Sequence, residues 1–293
     1  MQKLAINSLA NTLGESSAVF ASDEDPELVK DALPFALKTM EALLVESPSH
    51  PGLLLSTCSG FVQYSYAFVD SEAFFVESDD IREARRLRER ALKLYLRARD
   101  YCLRALDLER PGIYQRLILE PEEAVADLER DHAEVMYWTA ASWGAAISLG
   151  QNRPELTADL PVVRVLLERA LELHESFGDG ALHEAMISIE SLPESAGGSP
   201  ERARRHFERA LELSRGGSAG AYVTLAKSVS VSEQNRSEFE ALLAKAAAID
   251  VNQDPSRRLA NVLAQRRAEE LLARIDDYFL DSGDEFELME ESP

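Results

Sequence analysis

The sequence predicts an all-α chain of stacked helical hairpins, an α-solenoid with additional helices outside the repeat. Three observations predict it. Apolar residues recur at helical spacing along almost every segment, with no convincing strand alternation. Proline and glycine break these segments at intervals. And "LLERALELHES" at 166–176 returns as "HFERALELSRG" at 206–216, with ERALEL identical at an offset of 40 residues. One hairpin cannot bury its own apolar face, so a chain that repeats such a unit stacks its copies.

Along the chain, the first junction is "EALLVESPSHPGLLLSTCSGF" from Glu41, where Pro48, Pro51 and Gly52 separate two apolar segments. Over 81–108, Leu87, Leu92, Leu94, Leu96, Leu103 and Leu106 alternate with Arg and Glu at helical spacing, which predicts a long helix closed by Pro111 and Gly112. Pro154 and Pro161 precede the first ERALEL, which leads through "HESFGDG" into "ALHEAMISI". After "PESAGGSPE" at 193–201, Ser199 before Pro200 and Glu201 is an N-cap with proline in the first turn. The second ERALEL leads through "SRGGSAG" into "AYVTLAKSV". A looser copy begins at Lys245, where Asp254 and Pro255 repeat the capping device. Small residues at Ala170, Ala210 and Ala246 let helices approach closely. Residues 1–280 read as a single helical-repeat domain, and the acidic "DSGDEFELMEESP" at 281–293 as a mobile tail.

Composition narrows the function. The chain has 293 residues and 45% hydrophobic content, enough for a large core. Its 52 acidic and 31 basic residues give a net charge of -21, which repels phosphate backbones and anionic lipid headgroups, so nucleic acid is excluded as an expected partner. No apolar run approaches the roughly 20 residues that span a bilayer, and the N-terminus lacks the apolar core of a signal peptide. Cys58 and Cys102 form no CxxC or metal-ligand pattern. Both fall on apolar helical stretches, where cysteine acts as a small buried hydrophobe, with a disulfide between them as the alternative.

At its junctions the sequence resembles the tetratricopeptide repeat. Ala36, Met40, Leu43, Leu44 and Pro48 fit that repeat's second helix, as do Ala203, Phe207, Ala210 and Leu211. Leu54, Cys58 and Phe61, and again Tyr222, Leu225, Ala226 and Val229, fit the first helix that follows. The match is degenerate: the offset of 40 exceeds the usual period of about 34.

Longer stretches resemble a narrower family. "LANTLGESSAVFASDEDPELVKDALPFALKTMEALLVESPSHPGLLLSTCSGFVQYSYAFV" at 9–69, "YWTAASWGAAISL" at 137–149, "PERARRHFERALEL" at 200–213 and "LANVLAQRRAEELLARIDDYF" at 259–279 are together similar to TatT, the T component of tetratricopeptide-associated TRAP transporters. The resemblance implies a periplasmic lipoprotein that forms a homotrimer, offers an apolar channel for a small organic ligand, and docks the substrate-binding P component that feeds a membrane permease. It implies membrane attachment only through a lipid anchor. The signal peptide and lipidated cysteine of such lipoproteins are not in this sequence, so Met1 reads as an artificial start, with an unanchored relative as the alternative.

Enzymatic signatures are weak. "GGSAG" at 216–220 satisfies G-x-S-x-G, but its flanks are helical where a nucleophile elbow needs a strand, which makes Ser218 a loop residue. "HEAMI" at 183–187 has Ile187 where a zinc site needs its second histidine, and His50, His132, His174 and His206 lie scattered. No phosphate loop or dinucleotide fingerprint occurs, so the expectation is a non-enzymatic protein without cofactor or metal. Aromatic residues are the candidates for the channel wall: Phe61, Tyr64, Tyr66 and Phe68 in one cluster, Tyr137, Trp138 and Trp143 in another. Trp138 and Trp143 are five apart and face different sides of one helix, so at most one side faces the channel. On the Arg-rich helix, Arg85 and Arg88 are candidates for contact with an acidic partner surface, against the simpler reading of Glu–Arg pairs that keep the helix soluble. The alternative to a transport accessory is a stand-alone helical-repeat scaffold that binds protein or peptide and no small molecule.

Overall fold

The computed structural model describes residues 17–280. The expected tail at 281–293 and the family-like segment before residue 17 lie outside the described residues. The α-helices are α1 (Ser17–Ala21), α2 (Pro26–Glu46), α3 (Pro51–Tyr64), α4 (Ser71–Val76), α5 (Ile81–Glu109), α6 (Ile113–Leu119), α7 (Pro121–Ala126) and α8 (Ala133–Leu149). They continue with α9 (Pro154–Thr157), α10 (Leu160–His174), α11 (Ala181–Glu190), α12 (Pro200–Leu213), α13 (Ala219–Leu225), α14 (Arg236–Ala247) and α15 (Arg258–Ala273). No strand occurs among the described residues, and no helix is long and apolar enough to cross a membrane.

Local chemistry explains the helix starts. Asp25 accepts hydrogen bonds from the Glu27 and Leu28 N–H groups at the head of α2, with Pro26 in the first turn. Asp80 does the same for Arg82 and Glu83 on α5. Ser199 caps α12 as expected, and Asp254 caps a 3-10 turn, Pro255–Arg257, that runs into α15. Two turns depart from the α pitch: Ser65–Asp70, between α3 and α4, and Ala226–Ser230, after α13, are π-helical. Such wide turns frequently occur at functional sites.

Helices pack mainly on near neighbours in the chain: α3 on α5, α5 on α8, α8 on α10, α11 on α12, and α13 on α14 and α15. Two large apolar clusters result. One runs from Val29 to Ile189, and the other joins Phe74 and Ile187 to residues from Ala203 to Phe279. Ala170, Ala210 and Ala246 are all buried, so the small repeat positions sit where helices meet. At Gly180, which has φ +106°, a Cβ would lie 2.9 Å from the Ala210 carbonyl oxygen; both the turn and the contact with the second ERALEL require glycine.

Cys58 on α3 and Cys102 on α5 form a disulfide, with Cα atoms 5.4 Å apart. This corrects the reading of two separate apolar cysteines. Both side chains are indeed buried, but helical spacing in two segments carries no information about which faces meet.

Of the histidines read as scattered, His206 meets His183. His183 Nδ1 lies 2.8 Å from His206 Nδ1, and His183 Nε2 lies 3.3 Å from Glu175, which also accepts from Arg209. Burial, reinforced by the His183 charge, pushes His206 down to about 4. A folded-state pKa below the free value of 6.5 means that the unfolded chain takes up this proton first as pH falls. The stabilisation is therefore present above 6.5 and lost as pH falls toward 4. Glu175, held down to about 2 by Arg209, adds a separate loss at pH below 4.5. Thermal melts across this range are expected to fall for the wild type and to fall less steeply between 6.5 and 4 in His206→Gln, with buried His183, also lowered, accounting for the remainder. An unchanged profile in the variant would reject His206 as the group responsible.

Candidate functional site

One concavity, partly open to the outside, has a volume of about 760 Å³. It is built by residues far apart in sequence. Leu33, Leu37 and Met40 come from α2, and Ser59, Gly60 and Gln63 from α3. The π turn adds Tyr66, Ala67 and Phe68, and α8 adds Tyr137, Trp138, Ala141 and Ala145. Ala181, Ala185 and Ser188 of α11 are spaced four and three apart, which puts them on one helical face, and Ala260, Leu263, Ala264 and Arg267 of α15 do the same. Small side chains on these faces leave the space; apolar ones make most of the wall.

Of the seven aromatic candidates, Tyr66, Phe68, Tyr137 and Trp138 lie on this wall. Tyr137 is braced edge-on by Trp138 and at a tilt by Phe177, with ring centroids 4.8 and 5.3 Å away. Burial, and then the nearby Glu184, push its phenol pKa well up, so it stays a neutral donor. The other three lie off the wall. Phe61 stacks on Tyr101 beneath Arg97, and the Tyr64 hydroxyl accepts from Arg90 at 3.1 Å. Trp143 is fully buried in the core, donates its indole N–H to Asp159 at 3.1 Å, and lies under the Arg99 guanidinium. The five-residue spacing does separate the two tryptophans, with Trp138 on the cavity side.

Polar groups punctuate the wall. Glu184 accepts a hydrogen bond from Ser218 at 2.9 Å, and burial raises its carboxyl pKa, opposed by Ser218 and by Arg257. Gly220 makes room for it: a Cβ there would stand 2.3 Å from Glu184 Oε1. Ser218 also accepts from the Ala221 N–H as the N-cap of α13, so its hydroxyl serves a carboxylate and a helix end, with no imidazole bonded to it among the described residues. Among the described residues no group of three or more His, Cys, Asp or Glu side chains could hold a metal ion.

The Arg-rich helix α5 has several of its cations engaged within the chain. Arg88 grips Glu77 with two hydrogen bonds, at 2.7 and 2.6 Å, and holds its carboxyl below the usual range. Arg97 pairs with the buried Glu41. Arg85 is exposed and has no ion pair among the described residues, which leaves it, and not Arg88, as the free cation of the pair singled out in the sequence. Sequence reading missed Arg267 and Tyr95, both of which line the cavity. The signal was there: Arg267 follows Ala260, Leu263 and Ala264 on the apolar face of α15, an unusual place for an arginine.

A family model described as "TRAP transporter T-component" matches residues 22–279. An uncharacterized protein of Treponema pallidum (strain Nichols) is 30% identical over 300 residues, an alignment that covers 96% of this chain and 93% of that protein.

Proposed function

We propose, since the chain belongs to the TRAP transporter T-component family, that it is a non-enzymatic accessory of a TRAP-type uptake system which docks the substrate-binding P component and receives a small organic molecule in its interior. The cavity carries this reading: about 760 Å³ lined mostly by apolar and aromatic side chains, with a few polar groups among them, is the size and character of a small-molecule site. In this reading the hairpins form a degenerate tetratricopeptide-like stack whose inner surface is the cavity. Tyr66, Phe68, Tyr137 and Trp138 touch the ligand, while Phe61, Tyr64 and Trp143 hold the helices that carry them.

The site of action is the periplasm, with the full-length protein held to the membrane by a lipid anchor. The Cys58–Cys102 disulfide supports an oxidising compartment. Self-association into a trimer is supported by an exposed apolar stripe on α2, where Leu28 is 59%, Phe35 79% and Val45 78% exposed. A three-fold ring brings two different surfaces of each chain together, and exposed Ile118 and Leu119 on α6 offer a second apolar surface. Arg85 stands ready for an acidic patch on the P component.

Light scattering on the purified protein, alone and with its matching P component, tests the reading. A trimer that gains mass on mixing is expected, and Phe35→Asp is expected to reduce the free protein to monomers. A wild-type monomer indifferent to the P component would leave the stand-alone scaffold. Arg85→Glu is expected to weaken the complex less at high salt than at low salt, because ions screen an exposed charge.

A further inference from the structure

Three cations converge on one ring. Arg267, Lys227 and Arg274 lie 4.8, 5.4 and 5.6 Å from the centre of Phe74, and Arg267 also lies 5.8 Å from that of Tyr66. Arg274 is answered by Asp277 and Glu270, and Glu77 is taken by Arg88. Arg267 and Lys227 have no ion-pair or hydrogen-bond partner among the described residues, and the Arg267 Nε is buried without one. Asp70, the remaining carboxylate that senses both, lies beyond ion-pair distance. Burial first, and then the neighbouring Arg267, push Lys227 down to about 8, opposed in part by Asp70 and Glu77. This is local positive excess inside a chain of net charge -21.

A second observation points the same way. The hydroxyl of Tyr95 is buried with no protein partner, on a side chain only 1% exposed that lines the same cavity as Arg267. A buried hydroxyl and a buried guanidinium N–H left without acceptors are costly, and an anionic group at this end of the cavity would supply the acceptors they lack. The rest of the wall offers apolar contact.

We propose that this end of the cavity is an anion subsite, where Arg267 and Tyr95 donate hydrogen bonds to the carboxylate of an amphipathic organic acid whose apolar body runs along α8 and α15. Lys227, behind Phe74, adds charge without contact. The proposal rests on the ligand-binding reading of the cavity and adds the chemical class of the ligand.

Calorimetric titration of the full chain with octanoate and with 1-octanol separates the two. Octanoate is expected to bind at least about tenfold tighter than the alcohol, since a charge-assisted contact exceeds a neutral one by that margin. Arg267→Gln is expected to abolish the preference and leave octanol binding unchanged. Tyr95→Phe, which keeps the ring and removes the unpartnered hydroxyl, is expected to weaken octanoate several-fold with a melting temperature no lower than that of the wild type. Equal binding of both probes, unaffected by either substitution, would overturn the anion subsite and leave the apolar cavity standing. Failure of both probes to bind would remove the cavity reading and the subsite with it.

Discussion

Replacing both Cys58 and Cys102 by serine, or reducing the disulfide, is expected to lower the unfolding free energy by about 4 kcal/mol. The two residues are 44 apart, and closing a loop of that length removes about this much entropy from the unfolded chain. The bond joins α3 to α5 within the large N-terminal cluster, so its loss also loosens the wall that α3 gives to the cavity. Denaturant titrations with and without reductant measure it directly. Coincident midpoints would show that the helix packing alone holds α3 in place. A serine pair adds polar atoms to an apolar site, so reduction of the wild type is the cleaner comparison.

Trp143→Ala is expected to cost about 3–5 kcal/mol, the usual range for emptying a large aromatic site in a core. Three separate losses add up there. The indole leaves a void among fully buried neighbours, Asp159 loses its N–H donor, and Arg99 loses the ring it covers. Asp159 is raised by burial and held down in part by that hydrogen bond, so its carboxyl rises further without it. Ligand affinity of the folded fraction is expected to stay as it was, because Trp143 lies off the cavity wall. Trp138→Ala is expected to do the reverse, weakening binding while costing less stability, since its side chain faces open space. Thermal melts paired with octanoate titration check both; a Trp143→Ala protein that melts with the wild type would place the indole outside the core.

The helices were legible because their signals are local. Asp80, Ser199 and Asp254 cap the turns where their types and the following residues put them, and ERALEL buries its alanine in both copies. The site was legible in part. Helical phase separated Trp138 from Trp143, but which of the two met open space depended on α11 and α15, which are distant in sequence. Arg88 looked like a free surface cation because its partner Glu77 lies eleven residues away, across the break before α5. The disulfide was hidden for the same reason: each cysteine matched the apolar pattern of its own helix, and only the pairing of α3 with α5 brings them together. Arg267 was overlooked as half of an Arg–Arg pair. Arg266 points outward to Glu27, whereas Arg267 turns inward.

The two π turns bear on how such a site arises. A π turn holds about one residue more than the α-helical turn it interrupts. The extra residue shifts helical phase by about 100°, which turns the side chains beyond it onto another face. Here one turn carries Tyr66, Phe68 and Asp70, and the other carries Lys227. A single residue thus re-aims the half-helix beyond each turn while the helices on either side keep their packing partners. Deleting one residue from Ser65–Asp70 is expected to restore an ordinary helical turn there and to rotate Tyr66 and Asp70 away from the residues they now face.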